Sequence, residues 1–115
     1  MANPFYGNIG DVWKHLALAA ILTAARPRQY WESHAGSAAY PLTHAPHRDL
    51  GAFRFLAGAP AAPALRASAY FRVLAAHAAD PAPVYPGSPL LALEVLGGRA
   101  RRLLFCDLDG ARRGR

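Results

Sequence analysis

The chain has 115 residues, 53% of them hydrophobic, with 13 basic against 7 acidic residues and a formal charge of +6. That length suits one small domain or part of a larger one, long enough for a core but short for a complete α/β enzyme. No run of eighteen apolar residues occurs, and the opening MANPFYGN lacks the basic-then-apolar order of a signal peptide, so a soluble, cytoplasmic protein without a membrane partner is expected.

Residues 5–24, FYGNIGDVWKHLALAAILTA, begin with a Gly-Asn-Ile-Gly turn and continue as a helix capped by Asn8 or Asp11, whose side chains accept orphan backbone N–H bonds. Val12, Leu16, Ala19 and Thr23 share one face while Trp13, Leu18, Ile21 and Leu22 fill the others, so the whole helix is expected to be buried. Asp11 stands three and four residues before Lys14 and His15. These residues serve either as a capping aspartate with its lysine or as a cation and an imidazole facing a ligand carboxylate.

Arg26-Pro27-Arg28 ends the helix, because proline removes a donor and restricts its predecessor. Gln29–Ser33 is the first expected strand. It opens into His34-Ala35-Gly36, a turn in which Gly36 can take φ > 0 and leave room for a ligand against open backbone. A short helix, closed by Tyr40-Pro41, is expected to follow. One glycine stands where a dinucleotide fingerprint has three, so the turn is either a cofactor site or an ordinary connection.

Between 43 and 83 the composition shifts to Ala, Pro and Gly, and two helices are expected, over 49–57 and 63–79, as a helical insertion between strands. His44, His47 and His77 lack metal-site spacing and read as surface or loop residues. In Val84–Leu96 the segment Pro86-Gly87-Ser88-Pro89 launches a helix, with Ser88 as N-cap, Pro89 at the first position and Gly97 as the stop. The same geometry offers N–H groups and a hydroxyl to a polar ligand.

Arg101–Asp107, RRLLFCD, is a second strand, parallel to the first by the order of elements. Asp107 at its end is a candidate acceptor for ribose hydroxyls. It lies about seventy residues beyond Gly36 against the usual ~20, an excess the helical segment accounts for. The single cysteine, Cys106, excludes an internal disulfide and has no ligand-spaced partner, so no metal is expected and burial on the strand is its expected role. All basic residues but Lys14 are arginines, and Arg112, Arg113 and Arg115 lie in the last four positions. Such an excess favours a polyanionic partner, although a solvated tail accounts for those three equally well.

Three separated segments together resemble the amino-terminal part of bacterial 23S ribosomal RNA adenine N6-methyltransferases. They are Gly7-Asn8 with Asp11-Val12 and Lys14-His15, Ser33-His34-Ala35-Gly36 with Tyr40 and Leu42, and Tyr85-Pro86-Gly87-Ser88-Pro89-Leu90. The resemblance implies an α/β fold, a partial Rossmann-like methyltransferase sheet with an inserted helical subdomain over 43–83. It implies S-adenosylmethionine as cofactor and ribosomal RNA as partner, with Lys14, His15, His34, Gly36, Ser88 and Asp107 on the cofactor. Ala38 departs from the family's second glycine, and Asp107 from its glutamate. The family's catalytic Asp-Pro-Pro-Tyr does not occur in these 115 residues. The chain therefore reads as an amino-terminal portion, weak or inactive alone, with no catalytic residue of its own. A non-enzymatic basic nucleic-acid-binding or interaction module and a methyltransferase relative with another substrate are the alternatives.

Overall fold

The computed structural model describes residues 4–100 and 102–106. Asn8 begins helix α1 (Ile9–Ala25): its side-chain oxygen accepts from the Asp11 N–H at 2.8 Å, and Asp11 Oδ2 accepts in return from the Gly7 N–H at 2.9 Å. Both candidate side chains thus act together, Asn8 on an N–H that the first turn leaves orphaned and Asp11 on the N–H of the residue before the cap. Arg26 stops the helix in the left-handed region, at φ 47°, with its N–H on the Leu22 carbonyl.

The chain then forms β1 (Gln29–Glu32), β2 (Ala39–Pro41), α2 (Pro46–Leu50), α3 (Ala52–Gly58), α4 (Pro63–Arg66), α5 (Ala69–Ala78), β3 (Val84–Pro86), α6 (Ser88–Leu96) and β4 (Arg102–Phe105). Strands β1 and β4 pair in parallel, with Tyr30 opposite Leu103 and Glu32 opposite Phe105. Strands β2 and β3 form a separate antiparallel pair, with Tyr40 opposite Tyr85. The fold is therefore mixed α/β, built on a two-stranded parallel sheet with helices. Among the described residues no helix is long and apolar enough to cross a membrane.

Helix α1 joins two hydrophobic clusters. Its Val12 and Ala19 pack with Leu42, Ala52, Tyr70, Val73, Leu74, Tyr85 and Leu91, while Leu22 packs with Ala35, Ala92, Leu96 and Phe105. Each fully buried large side chain contributes about 1.5–3 kcal/mol, so the helix is held from both ends. Its buried stripe is Val12, His15, Ala19 and Leu22, at helical spacing. The expectation of all-round burial fails: Trp13 and Ile21 are 68% and 62% exposed, and Thr23 turns back to the Ala19 carbonyl at 2.7 Å.

Other boundaries also differ from expectation. No helix follows Gly36; Tyr40-Pro41 belongs to β2, because Val84–Pro86 supplies a pairing partner far along the chain. The helix expected over 49–57 breaks at Gly51, whose neighbour Ala52 donates to the Gly7 carbonyl at 2.9 Å. The one expected over 63–79 breaks at Ser68, which caps α5 by accepting from the Phe71 N–H. Gly87, not Ser88, is the N-cap of α6. Cys106 is exposed, since β4 ends at Phe105 and the cysteine follows it. Of the histidines in the helical segment, His44 bonds Asp49 and stacks on Phe53, and His77 bonds Glu94.

Candidate functional site

The loop that follows β1, the antiparallel pair β2–β3, the amino-terminal half of α1 and the start of α6 meet around a polar cavity of about 280 Å³. Lys14, His15, His34, Gly36 and Ser88 all line it, together with Asp11, Tyr6, Ser37, Tyr40 and Tyr85. Five of the six residues expected at the cofactor are thus brought together from three distant segments. The sixth, Asp107, lies outside the described residues.

Each side chain is placed by a local cause. Lys14 stands on the exposed side of α1, 74% accessible, 3.6 Å from Asp11 Oδ1. His34 follows β1 and is exposed, with Nδ1 3.0 Å from Ser33 Oγ. Gly36 takes φ +70°, as a tight turn with no Cβ allows, and the adjoining Ser37 N–H donates to Tyr40 Oη at 3.3 Å. Tyr40 stacks on Tyr6, ring centroids 4.5 Å apart, and Tyr6 Oη donates to the Pro41 carbonyl.

Ser88 is engaged within the protein: its hydroxyl donates to Glu32 Oε1 at 2.8 Å, with the Ala35 carbonyl at 3.4 Å. Glu32 also accepts from Tyr30 Oη, and burial followed by that carboxylate raises the Tyr30 phenol well above its ordinary value. Glu32 and its partner Tyr30 were missed in sequence, although the strand's period of two places them on one face. A more open polar recess, lined by Trp31, Glu32 and Ser33, shares Lys14, His15, His34 and Ser88 with the cavity. An apolar cavity of about 330 Å³ beside Ile9, Trp13, Leu50 and Phe55 involves another face of α1.

His15 is the buried member, 8% exposed, with Nδ1 2.7 Å from Tyr85 Oη, which lies 3.0 Å from Tyr70 Oη. Burial pushes its imidazole down from 6.5 to about 4, Asp11 opposing the shift and Lys14 adding to it. Burial likewise raises both phenols, which stay protonated. Between pH 6.5 and about 4 the unfolded chain binds a proton at residue 15 that the folded chain does not. This contribution to stability is complete above pH 6.5 and falls on acidification, with a slope of at most about 1.4 kcal/mol per pH unit. Urea midpoints from pH 7 to 4.5 are expected to fall more steeply for the native chain than for His15→Gln; equal slopes would refute the assignment.

No protein-family model and no curated protein matches the chain. Among solved structures it is similar to protein LPL1258 from Legionella pneumophila strain Philadelphia 1, whose description carries the family-model designation DUF519 and no activity. The TM-score is 0.79 at 27% identity, over 93% of this chain and 42% of that one. The chain thus spans less than half the length of this structural neighbour.

Proposed function

We propose that this chain is the cofactor-binding portion of an S-adenosylmethionine-dependent methyltransferase whose complete form modifies an adenine amine of ribosomal RNA. On this reading β1 and β4 are part of a larger Rossmann-like sheet. The observation that carries it is the meeting of Lys14, His15, His34, Gly36 and Ser88 in one polar cavity. The donor set suits the amino-acid end of the cofactor: Lys14, His15 and His34 can donate to its carboxylate, and Asp11 can accept from its ammonium. Gly36 matters by what it lacks, since a Cβ there would stand 3.3 Å from Tyr40 Oη. Glu32 holds Ser88 at the mouth of α6.

The chemistry supplied by bound S-adenosylmethionine is an electrophilic methyl group; the work left to this chain is to hold and orient its carrier. Positioning is a large part of such catalysis. No Asp-Pro-Pro-Tyr is present to hold an extruded adenine, so weak or absent turnover is part of the proposal.

Calorimetry on the whole chain tests it. Saturable S-adenosylmethionine binding is expected, weakened about tenfold or more by His34→Ala, a change in an exposed residue that leaves the core intact. The formal charge of +6 favours a second reading, a basic nucleic-acid-binding module. Salt-dependent RNA affinity without any cofactor binding would establish that reading and overturn the first.

A further inference from the structure

We propose that Tyr85, its hydroxyl accepting from Tyr70, is a positioning residue that fixes His15 in the tautomer carrying its proton on Nε2, making a neutral imidazole a permanent hydrogen-bond donor to the ligand of the polar cavity. The ligand's identity rests on the methyltransferase reading; the proton assignment does not.

The argument is a count of buried protons. Tyr70 and Tyr85 are both fully buried, and the contacts run from Tyr70 Oη to Tyr85 Oη at 3.0 Å and on to His15 Nδ1 at 2.7 Å. Three arrangements satisfy these distances, and the one in which Nδ1–H and Tyr70 both donate to Tyr85 Oη leaves the Tyr85 proton with no acceptor. In the first of the other two, Tyr70 donates to Tyr85, Tyr85 donates to Nδ1, and both hydroxyl protons are used. In the second, Nδ1 carries a proton and donates to Tyr85, and Tyr85 donates to Tyr70. The Tyr70 proton is then left in the core with no acceptor, since among the described residues its hydroxyl has no other hydrogen-bond partner. An unmet buried donor is the costlier choice, so the first arrangement prevails.

With Nδ1 occupied as an acceptor, Nε2 holds the ring proton and is the nitrogen left for a ligand. His15 lines the cavity beside Lys14 and His34, so its N–H joins theirs toward an acceptor such as a carboxylate. Protonation of His15 is suppressed by burial, so this donor keeps its form across neutral pH. The Tyr85 hydroxyl thus orients the His15 ring proton from within the cavity wall, with Tyr70 donating to it from behind.

Long-range proton–nitrogen correlation NMR on the uniformly ¹⁵N-labelled chain, with no ligand added, tests the assignment directly. At pH 7 His15 is expected to show an unprotonated Nδ1 and a protonated Nε2; a protonated Nδ1 overturns the proposal. Tyr85→Phe is expected to lose the single-tautomer signature and to weaken S-adenosylmethionine binding about tenfold, with melting and circular dichroism reporting whether the chain is folded. Tyr70→Phe leaves the Tyr85 hydroxyl free to donate to Nδ1 and is expected to keep the Nε2 proton; its loss would contradict the order of donors. If Nε2 carries the proton but calorimetry finds no cofactor binding, the proton assignment stands and the methyltransferase reading falls. If the cofactor binds and Nδ1 carries the proton, the reverse holds.

Discussion

Replacing Gly87 with alanine is expected to lower the unfolding free energy by about 3–4 kcal/mol and to abolish ligand binding in the polar cavity. The cause is space, since φ is −72° and any residue adopts it. A Cβ at this position would stand 2.1 Å from the Ser37 carbonyl oxygen and 3.4 Å from that of Ala38, backbone atoms that cannot swing aside. The 37–38 segment crosses here because the Gly87 N–H donates to the Ala38 carbonyl at 2.8 Å, which extends the β2–β3 pairing by one bond. Pushing the strands apart breaks that bond and moves Tyr40 away from Tyr85. It also draws Ser88 from Glu32, so fold and site are lost together. Urea unfolding of the variant measures the first effect and calorimetry the second; a stability within about 0.5 kcal/mol of the parent would refute the steric account.

The dependence on Gly87 explains which parts of the fold were legible in sequence. Helix α1 could be placed because its cap and its terminator are local: Asn8 and Asp11 start it and Arg26-Pro27 ends it. Strands β1 and β4 could be placed because a short apolar run between turn residues is a local signal. Strands β2 and β3 could not. Ala39-Tyr40-Pro41 and Val84-Tyr85-Pro86 are three residues each, each contains a proline, and they become strands only by meeting one another across more than forty residues. A pairing that distant leaves no periodicity to read.

The candidate site divides in the same way. Lys14, His15, His34, Gly36 and Ser88 could be named through the resemblance of the three segments to the methyltransferase family, and the structure brings these five to one cavity. Their supports were invisible. Glu32 looked like the end of a strand, yet it anchors Ser88. Tyr85 stood in the third segment with no role of its own and Tyr70 within the helix expected over 63–79, yet their hydroxyls meet beside His15. Burial of α1 was misjudged for a related reason: composition states how apolar a helix is, while the packing partners decide which stripe is covered. Here Tyr70, Val73, Leu74 and Leu91 cover Val12 and Ala19, and Trp13 is left outside.

Arg48→Ala is expected to cost about 3 kcal/mol, although Arg48 lies in a short helix and its importance has no mark in sequence. The guanidinium is buried, 7% exposed, and has no carboxylate beside it among the contacts of the described residues. Its charge is balanced by dipoles. Nε donates to the Thr43 carbonyl at 2.7 Å, and Nη1 reaches the Pro4 and Tyr6 carbonyls at 3.2 and 3.4 Å and His47 Nε2 at 2.9 Å. The plane lies over the Tyr6 ring, 4.1 Å from its centroid. Arg48 therefore ties Pro4 and Tyr6 to the Thr43 corner, and it backs the Tyr6 ring that stacks on Tyr40 at the cavity wall. Removing it leaves those carbonyls without their donor, empties the space behind Tyr6 and frees the ring to leave Tyr40. Lysine is expected to recover less than half of the loss, because a single ammonium cannot reach Thr43, Pro4 and Tyr6 in the fixed fork that a guanidinium presents. Urea unfolding of both variants separates geometry from charge: full rescue by Arg48→Lys would show that a positive charge alone is sufficient at this position.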